Sequence, residues 1–270
     1  KTMISSWAFL LIMKSRILFL VKILTVLLGL MVSIMVSSNS IGMLFKNMFA
    51  SCFGLFFSIG FLPHSINAQF LTLITKVGNA SEIHMFWPIA LIITIYKIIT
   101  KIIANILSPL CNRILSWNIV GFIKGRSIPD CICLSSESLN ALNKKSRGGN
   151  ISINLDIRKA FDTIDRGFIF KVLRDFGFND TFISRINSLF KSNFISILIN
   201  VSPKGYFKCS KGVRQVDPLS AIIFAIMEDY LSRLLTYLVQ YNKVKSILAA
   251  RNLNVLSHIL YADDIIIFLN

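Results

Sequence analysis

The chain has 270 residues, enough for one large domain or two small ones with a buried core. Its apolar fraction is 54% and its charged fraction only 16%, which excludes a disordered chain and a coiled coil. Twenty-nine Lys and Arg residues against 13 Asp and Glu residues give a formal net charge of +16. Such an excess is typical of proteins whose partner is rich in phosphate, either a nucleic acid or an anionic membrane surface.

The first 54 residues are predicted to form an apolar, helical leader. Residues 17–36 are apolar except for Lys22, and a run of this length could span a bilayer. Lys14 and Arg16 before the run, with small polar residues after it, are also typical of a signal peptide. Two interpretations stay open: a membrane or targeting segment, or a buried or non-native leader.

Residues 55–150 are predicted to be the first folded domain. Residues 71–76 indicate a short strand, and residues 89–107 predict one mostly buried helix that ends before Pro109. A basic loop with glycines, residues 121–128, precedes a helical pattern that continues through Leu142. The basic turn at residues 144–149 then predicts the boundary to a second domain, residues 151–270.

The five cysteines and three histidines carry little chemistry in this pattern. The cysteines form an odd set without C-x-x-C spacing, so neither a disulfide framework nor a zinc site is expected, and a reducing compartment fits best. The histidines are scattered and are interpreted as ordinary structural residues.

Ten of the 13 acidic residues follow residue 150, and three of them stand in apolar surroundings. Residues 151–156 alternate apolar and polar side chains, which predicts a half-buried strand that ends at Asp156. A helix then follows, with Asp165 as its N-cap and Gly177 just after its end. This order of strand, loop and helix would present a carboxylate at the strand end.

Asp263 and Asp264 lie between two apolar runs within residues 256–269, which predicts a hairpin whose turn carries both acids. Burying two like charges side by side costs several kcal/mol unless protons or metal ions compensate. Seen alone, the pair could also be a solvent-exposed hairpin turn. Together with Asp156 it could hold two Mg²⁺ ions about 3.5–4 Å apart for in-line phosphoryl transfer.

A loop at residues 212–220 opens another predicted helix, with Asp217 as N-cap and Pro218 at the first helical position. Arg214 and Gln215 lie in this loop beside the helix N-terminus. Such a place can bind phosphate or the edge of a base.

Three spaced segments resemble one protein family. They are residues 155–162 (Leu-Asp-Ile-Arg-Lys-Ala-Phe-Asp), 212–220 (Gly-Val-Arg-Gln-Val-Asp-Pro-Leu-Ser) and 261–264 (Tyr-Ala-Asp-Asp). In this order they resemble the reverse transcriptases of non-LTR (LINE-type) retrotransposons, especially those of plants. Shorter upstream segments agree with this resemblance, at residues 60–64, 73–76, 88–91, 96–99 and 121–126.

The resemblance implies an α+β right-hand polymerase, with fingers at residues 55–150 and part of the palm, a sheet backed by helices, at residues 151–270. It places the thumb after residue 270, so the thumb is expected to be absent from this chain. The implied activity is RNA-directed DNA synthesis on an RNA template from a DNA primer and dNTPs. The implied cofactor is Mg²⁺ as two ions, with Mn²⁺ as an alternative.

The resemblance also assigns roles to single residues. Asp156, Asp263 and Asp264 match the catalytic metal-binding aspartates, and the backbone carbonyl of Ile157 would complete one metal shell. Phe161 matches the bulky residue that excludes a ribose 2′-OH, although without the family it would be interpreted as a core residue. Further nucleotide contacts are implied for residues that match the loop and fingers positions: Gln215, Lys76 and Arg126.

Several positions depart from the family pattern. Val216 replaces a usual glycine, and Trp87 replaces a usual arginine before Pro88. Further replacements are Thr75, Ile106, Ile119 and Arg166. These differences leave a second hypothesis open, a catalytically inactive retroelement fragment that binds nucleic acid or associates with membrane through residues 17–36. The family implies a nuclear or cytoplasmic location, and the leader a membrane one.

Overall fold

The computed structural model describes residues 40–143, 149–200, 202–214, 217–247 and 257–270. The chain divides into two compact units, with the division after Asn67. Residues 1–39, which include the apolar run predicted at 17–36, lie outside the described residues, as does most of the basic turn predicted at 144–149. The domain boundaries proposed at residues 54 and 150 stay predictions.

The described part of the first unit, residues 40–67, contains the helix α1 (Ser40–Ile59) and the short helix α2 (His64–Asn67). Three phenylalanines follow one another at a spacing of four along α1, so they share one face of the helix. The ring centroids of Phe49 and Phe53 are 6.3 Å apart, and those of Phe53 and Phe57 are also 6.3 Å apart. This stacking gives α1 an aromatic face.

The second unit is a mixed α/β domain, as the α+β prediction requires at this coarse level. Its strands are β1 (Ala68–Thr75), β2 (Phe86–Ile92), β3 (Ile151–Asp156), β4 (Phe194–Ile199), β5 (Ser202–Lys208), β6 (His258–Tyr261) and β7 (Asp264–Leu269). Its helices are α3 (Thr94–Ile114), α4 (Ile128–Leu142), α5 (Ala160–Thr163), α6 (Arg166–Asp175), α7 (Asp180–Lys191) and α8 (Pro218–Gln240). A short 3₁₀ turn, Ile83–Met85, precedes β2.

The strands form two sheets. The first has the order β2-β1-β4-β5, in which β1 pairs antiparallel with β2 and parallel with β4. The second has the order β3-β7-β6, and all of its pairs are antiparallel. The first sheet therefore takes strands from both sides of residue 150, whereas the second takes its strands only from the later part of the chain.

The prediction of a single helix at residues 89–107 is wrong at both ends. Residues 86–92 form β2, which pairs with β1 over seven positions from Phe86 opposite Thr75 to Ile92 opposite Gln69. A short run of apolar residues is typical both of a buried helix and of a buried strand. Its periodicity therefore could not show that these residues pair with β1. The helix α3 begins at Thr94 and continues through Pro109 to Ile114. Pro109 lies on the exposed face of α3, where water can solvate the carbonyl that the missing N–H leaves free.

Within the described residues, α3 is the helix long and apolar enough to cross a membrane by length and composition alone. Half of its apolar window is buried, and it packs against α8. Its C-terminal end is bonded to α8: the Ser116 N–H donates to Asp229 Oδ1 at 2.8 Å, and Arg233 donates to the Ile114 carbonyl at 2.6 Å. These contacts are those of a helix in the core of a folded domain.

The strand predicted at residues 151–156 is confirmed as β3, but the expectation that it is half-buried is wrong. All six of its residues are exposed, including Ile151 and Leu155. The strand is at the edge of the second sheet, where it pairs with β7 on one side only. Alternation of side chains identifies a strand but not what covers its faces.

The predicted ends of α6 and α8 are confirmed. The Asp165 carboxylate accepts a hydrogen bond from the Phe168 N–H at 2.8 Å and caps α6. At the other end Gly177 has φ 83°, and the Gly177 and Phe178 N–H groups bond to carbonyls of the last turn, a Schellman motif. Asp217 caps α8, accepting from the Ser220 N–H at 3.3 Å.

A buried polar cluster joins α8 to β6. Nε2 of His258 lies 3.0 Å from Asn118 Nδ2 and 2.7 Å from Ser232 Oγ, both of which can donate to it. Its Nδ1 lies 2.9 Å from Ser257 Oγ. Burial lowers the pKa of His258 to about 4, so the ring is neutral at physiological pH. His258 is thus a structural residue, as predicted, and the five cysteines are free.

Arg166 donates hydrogen bonds to four carbonyls in two segments of backbone, at Phe190 and at residues 209–212. Its guanidinium donates to the carbonyls of Gly212 at 3.2 Å, Phe190 at 3.0 Å, Cys209 at 2.6 Å and Lys211 at 3.2 Å. The same group lies 5.3 Å from the centre of the Phe190 ring. The guanidinium has five N–H donors in a planar fork and can reach all four carbonyls, whereas an ammonium group has three donors on a single nitrogen.

We therefore expect Arg166→Lys to lower the free energy of unfolding by about 1–3 kcal/mol, since several part-buried carbonyls lose their donor. Urea unfolding followed by circular dichroism measures the change. Arg174→Lys is the control on the same helix, because Arg174 is 61% exposed and its ion pair with Asp180 is 3.5 Å long. The control should change stability by less than about 0.5 kcal/mol; equal losses in both variants would contradict this role of Arg166.

Candidate active site

The second sheet brings the three predicted catalytic aspartates together. Asp156, the last residue of β3, lies directly opposite Asp264, the first residue of β7. The Ile157 N–H donates to the Asp263 carbonyl at 2.9 Å. Because this bond joins the neighbours of Asp156 and Asp264, those two residues do not bond each other through their backbones. In such a non-hydrogen-bonded pair the facing side chains lie closest, with Cα atoms about 4.5 Å apart. Asp263 is in the adjoining turn, and all three side chains are exposed.

The β6–β7 hairpin has a two-residue turn that carries Asp263. The prediction that this turn carries both acids is wrong for Asp264, because Asp264 is already paired as the first residue of β7. Tyr261 pairs with Asp264, so Ala262 and Asp263 form the turn. Ala262 has φ 53°, a left-handed conformation that favours glycine. A Cβ atom on Gly121 would lie 3.2 Å from the Ala262 nitrogen, so the absence of a side chain at Gly121 lets the loop contact the turn closely.

The donor set suits a hard divalent cation. Three carboxylates and the Ile157 carbonyl offer only oxygen ligands, which Mg²⁺ and Mn²⁺ prefer over nitrogen or sulfur. Within the described residues, no group of three or more His, Cys, Asp or Glu side chains is arranged so that it could hold a metal ion. The backbone register thus places the acids together, while their exposed side chains are not closed around one point.

Glu228, on α8, is a buried acid beneath the hairpin. It is 5% exposed, and neither of its carboxyl oxygens has a hydrogen-bond partner of ordinary geometry. Burial and the nearby charge of Asp263 raise the pKa of Glu228 to about 8, and the neighbouring Ala262 N–H partly offsets this rise. The carboxyl is therefore largely protonated at neutral pH, which avoids adding a buried negative charge below the aspartates.

A close backbone contact positions Phe161. Gly212 and Val213 donate to the Ile164 and Phe161 carbonyls at 2.9 and 2.8 Å. Gly212 has φ 73°, and a Cβ atom there would lie 2.6 Å from the Asp162 carbonyl oxygen. A side chain at this position is excluded by both conformation and space.

The Phe161 ring belongs to an aromatic cluster. It stacks on Phe224 of α8, with ring centroids 4.6 Å apart and planes 16° apart. Phe122, in the loop that follows Gly121, meets Phe161 edge-on at 5.7 Å. The Phe161 side chain is partly exposed, so it is both packed and accessible.

The loop before α8 is anchored by a buried arginine. The Arg214 guanidinium lies 4.0 Å from the centre of the Tyr96 ring and donates to Asn193 Oδ1 at 2.6 Å. Burial lowers the pKa of Arg214 and raises that of Asp217, and the attraction between the two opposes both shifts. Gln215 and Val216, between these two anchors, lie outside the described residues.

The two predicted basic contacts of the fingers make bonds within the chain. Lys76 follows β1, where its ammonium donates to the His84 carbonyl at 2.8 Å. The Arg126 guanidinium donates to the carbonyls of Leu115, Ser116 and Ile119, just after α3. No described contact joins Lys76 or Arg126 to the aspartates, so their role toward a nucleotide stays a prediction.

Comparison with known proteins agrees with this arrangement. Residues 78–270, more than half of the chain, match the family model described as reverse transcriptase (RNA-dependent DNA polymerase). The chain belongs to this family. The match includes β3, the loop before α8 and the β6–β7 hairpin, the segments on which the resemblance rested.

Three similar curated proteins are named after a transposon or a retrotransposable element. The chain is 27% identical over 217 residues to the transposon TX1 uncharacterized 149 kDa protein of Xenopus laevis, covering 78% of this chain and 16% of that protein. It is 27% identical over 212 residues to the Pol polyprotein of the type-2 retrotransposable element R2DM of Drosophila melanogaster, covering 77% and 19%. A Pol polyprotein of the type-1 element R2 of Popillia japonica is 35% identical over 79 residues, covering 29% and 13%. The chain thus spans less than a fifth of the length of these relatives.

Sequence reasoning missed two features of this reverse transcriptase domain. Glu228 lies in a helical apolar pattern, and a lone acid at a core position was the available signal. Arg166 was interpreted only as a departure from the family, although it bonds the segment that leads to Gly212. Both roles depend on segments far apart in sequence, so local patterns do not reveal them.

The protonation of Glu228 should appear in the pH dependence of stability. The unfolded carboxyl ionises near its ordinary value of 4.5 and the folded one near 8, so folding gains protons in this window and stability falls as pH rises through it. We expect the wild type to lose up to about 4 kcal/mol between pH 5 and pH 9 relative to Glu228→Gln, measured by urea unfolding without divalent cations.

Glu137→Gln, at an exposed position on α4, is the control and should follow the wild-type profile. If the free energy of unfolding depends on pH in the same way in the wild type and in Glu228→Gln, Glu228 is not buried in its neutral form.

Gly212→Ala should destabilise the domain by at least about 2 kcal/mol, because the new Cβ would collide with the Phe161 and Asp162 carbonyls at a left-handed residue. Gly177→Ala is a matched control: it has φ 83° and no atom within 4 Å of the added Cβ. Gly177→Ala should lower the free energy of unfolding by about 1 kcal/mol, because only the unfavourable left-handed conformation contributes there. Thermal unfolding of both variants checks the difference, and equal costs would contradict the close contact at Gly212.

Proposed function

We propose that this chain carries the catalytic part of an RNA-directed DNA polymerase. In the reaction, the 3′-OH of a primer attacks the α-phosphate of a dNTP, a new phosphodiester bond forms, and pyrophosphate leaves. The observation that carries the proposal is the register of β3 and β7, in which Asp156 faces Asp264 with Asp263 beside them. Family membership over residues 78–270 supports it.

Asp156, Asp263, Asp264 and the Ile157 carbonyl would hold the divalent ions, two Mg²⁺ or in their place Mn²⁺. When bound, these ions would lower the pKa of the attacking hydroxyl and neutralise charge on the leaving phosphates. The exposure of the three side chains leaves them free to rotate toward the ions and the substrate. Glu228 lies beneath the three aspartates and would be protonated. The negative charge of the site would therefore come from the aspartates alone.

Other residues would bind the substrates. Phe161, partly exposed beside the site, would contact the sugar and exclude a ribose 2′-OH. Gln215 would lie along the incoming nucleotide and the template. Lys76 and Arg126 would contact triphosphate or template backbone, which requires them to exchange the carbonyl bonds they now make.

The partners proposed are an RNA template, a DNA primer and dNTPs, for which the net charge of +16 is suited. In this assignment residues 55–150 are the fingers and residues 151–270 part of the palm. The nucleus or cytoplasm is the proposed location. Membrane association is not favoured, because the family acts on nucleic acid and α3 is half-buried in the domain.

The inactive-fragment hypothesis is also not favoured. Two of the departures on which it rested fit the fold: Arg166 bonds four carbonyls, and Ile119 is fully buried. Residues replaced by unselected drift would not be expected to acquire partners in this way.

The proposal predicts that the purified chain extends a DNA primer on an RNA template with Mg²⁺ and dNTPs. Asp263→Asn should lower the rate by at least about a hundredfold, since a carboxylate that binds the ions is replaced by a neutral amide. Primer extension resolved on a sequencing gel measures the rate. Asp180→Asn is the control, because Asp180 is an exposed acid at the start of α7.

The control should keep the wild-type rate within about twofold, as expected for a surface substitution. If the wild type and Asp263→Asn extend primers equally, or if neither extends them, the proposed activity is refuted.

A further inference from the structure

Phe122 has a backbone conformation unusual for its side chain. Its φ is 62°, in the left-handed region that bulky residues rarely adopt. It is also 45% exposed, so burial of its ring gives little compensation for this conformation. Such strain persists only where the surroundings enforce it, and it is concentrated at functional sites.

The surroundings that enforce it are the catalytic hairpin on one side and Phe161 on the other. The preceding residue, Gly121, lies against the turn, since a Cβ there would be 3.2 Å from the Ala262 nitrogen. The Phe122 ring meets Phe161 edge-on, with centroids 5.7 Å apart and planes 89° apart. Two consecutive residues thus connect the turn that carries Asp263 to the ring of Phe161.

Phe224 completes the contacts of the Phe161 ring. It stacks on Phe161 at 4.6 Å and meets Phe122 edge-on at 6.2 Å. Stacked and edge-on contacts are directional, so the pair fixes the plane of the Phe161 ring as well as its place. Phe224 is buried in the core, whereas Phe122 is at the surface.

We propose that Phe122 is a positioning residue that holds the Phe161 ring in place and thereby sets the selection of deoxyribonucleotides over ribonucleotides. This inference rests on the proposed polymerase function and extends it to a residue that contacts no reacting atom. Selection by Phe161 depends on a steric clash with the 2′-hydroxyl group of a ribonucleotide. A ring that could move by a fraction of an ångström would therefore discriminate less strictly between the two kinds of nucleotide. Removing Phe122 leaves Phe161 stacked on Phe224 on one side only.

Ordinary core packing is a weaker explanation of the same contacts. A residue placed for burial would not be nearly half exposed, and it would not need a left-handed backbone. Phe168 offers the comparison: it is 40% exposed and meets Tyr230 edge-on at 5.9 Å, at a site away from the aspartates. A purely structural aromatic contact should behave as Phe168 does.

The test compares dATP with ATP in primer extension by the full chain, on an RNA template with a DNA primer. The measured quantity is the ratio of kcat/KM for the two nucleotides. Phe122→Ala should lower this ratio by about fivefold or more, the size of one to two edge contacts. Phe122→Tyr should keep the ratio within about twofold, because the ring is retained, and the control Phe168→Ala should leave it unchanged.

A double-mutant cycle shows whether the effect acts through Phe161. In a Phe161→Ala background, which has already lost selection, Phe122→Ala should change the ratio no further. If Phe122→Ala lowers the use of both nucleotides equally, or lowers the ratio to the same extent in the Phe161→Ala background, the inference is overturned. Phe122→Leu replaces Phe122→Ala if the alanine variant fails to fold.

Failure of the proposed function would be seen separately. The ratio of the dissociation constants of dATP and ATP, measured with Ca²⁺ and the same primer–template, does not require extension. A chain that extends no primer but whose binding ratio falls in Phe122→Ala keeps the inference and loses the polymerase activity. A chain that extends primers and whose ratios are unaffected by Phe122→Ala keeps the activity and loses the inference.

Discussion

The pairing of β3 with β7 is the constraint on which the site depends. The Ile157 N–H bond to the Asp263 carbonyl fixes the register in which Asp156 and Asp264 face each other. A shift of this register by one residue would turn Asp156 to the opposite face of the sheet. Since β3 is an edge strand with both faces exposed, burial contributes little to this register. The register is therefore fixed mainly by the backbone hydrogen bonds along the six paired positions of β3 and β7.

The hairpin that carries two of the aspartates is supported from below and from the side. Its turn has a left-handed Ala262, and Gly121 approaches the turn closely because it has no side chain. Glu228 lies beneath it with a raised pKa, so a neutral acid occupies a place where a carboxylate would repel Asp263. His258, at the start of β6, bonds to Ser232 of α8 and to Asn118. The local strain is thus compensated by contacts of the surrounding core.

Departures from the family pattern have different meanings once their contacts are known. Arg166 replaces an aromatic residue but retains contact with an aromatic ring, Phe190, and adds bonds to the backbone before Gly212. Ile119 replaces a polar residue and is buried, with a bridge to Leu260 of β6. At these two positions the residues present make contacts that fit the fold: Arg166 bonds backbone carbonyls, and Ile119 is buried. The same argument does not extend to Val216, which lies outside the described residues.

The sequence alone determined the elements that depend on local chemistry. The Asp165 and Asp217 caps and the glycine after α6 follow from residues that bond neighbouring backbone or adopt special dihedral angles. The hairpin within residues 256–269 follows from two apolar runs on either side of the acids. Order and spacing of the acidic segments were enough to identify the family. They also predicted the three aspartates that the register of β3 and β7 brings together. These features could be predicted because each is decided within a few residues.

Only the tertiary structure decided which surfaces meet. It separated β2 from α3 within one apolar run, because strand pairing with β1 is a long-range choice that periodicity does not encode. It exposed β3, buried Glu228 beneath Asp263, and brought Phe122 into contact with Phe161, which is 39 positions later in the sequence. Burial, the pKa of a buried acid and contacts between distant rings arise from packing, and packing is a property of the whole fold.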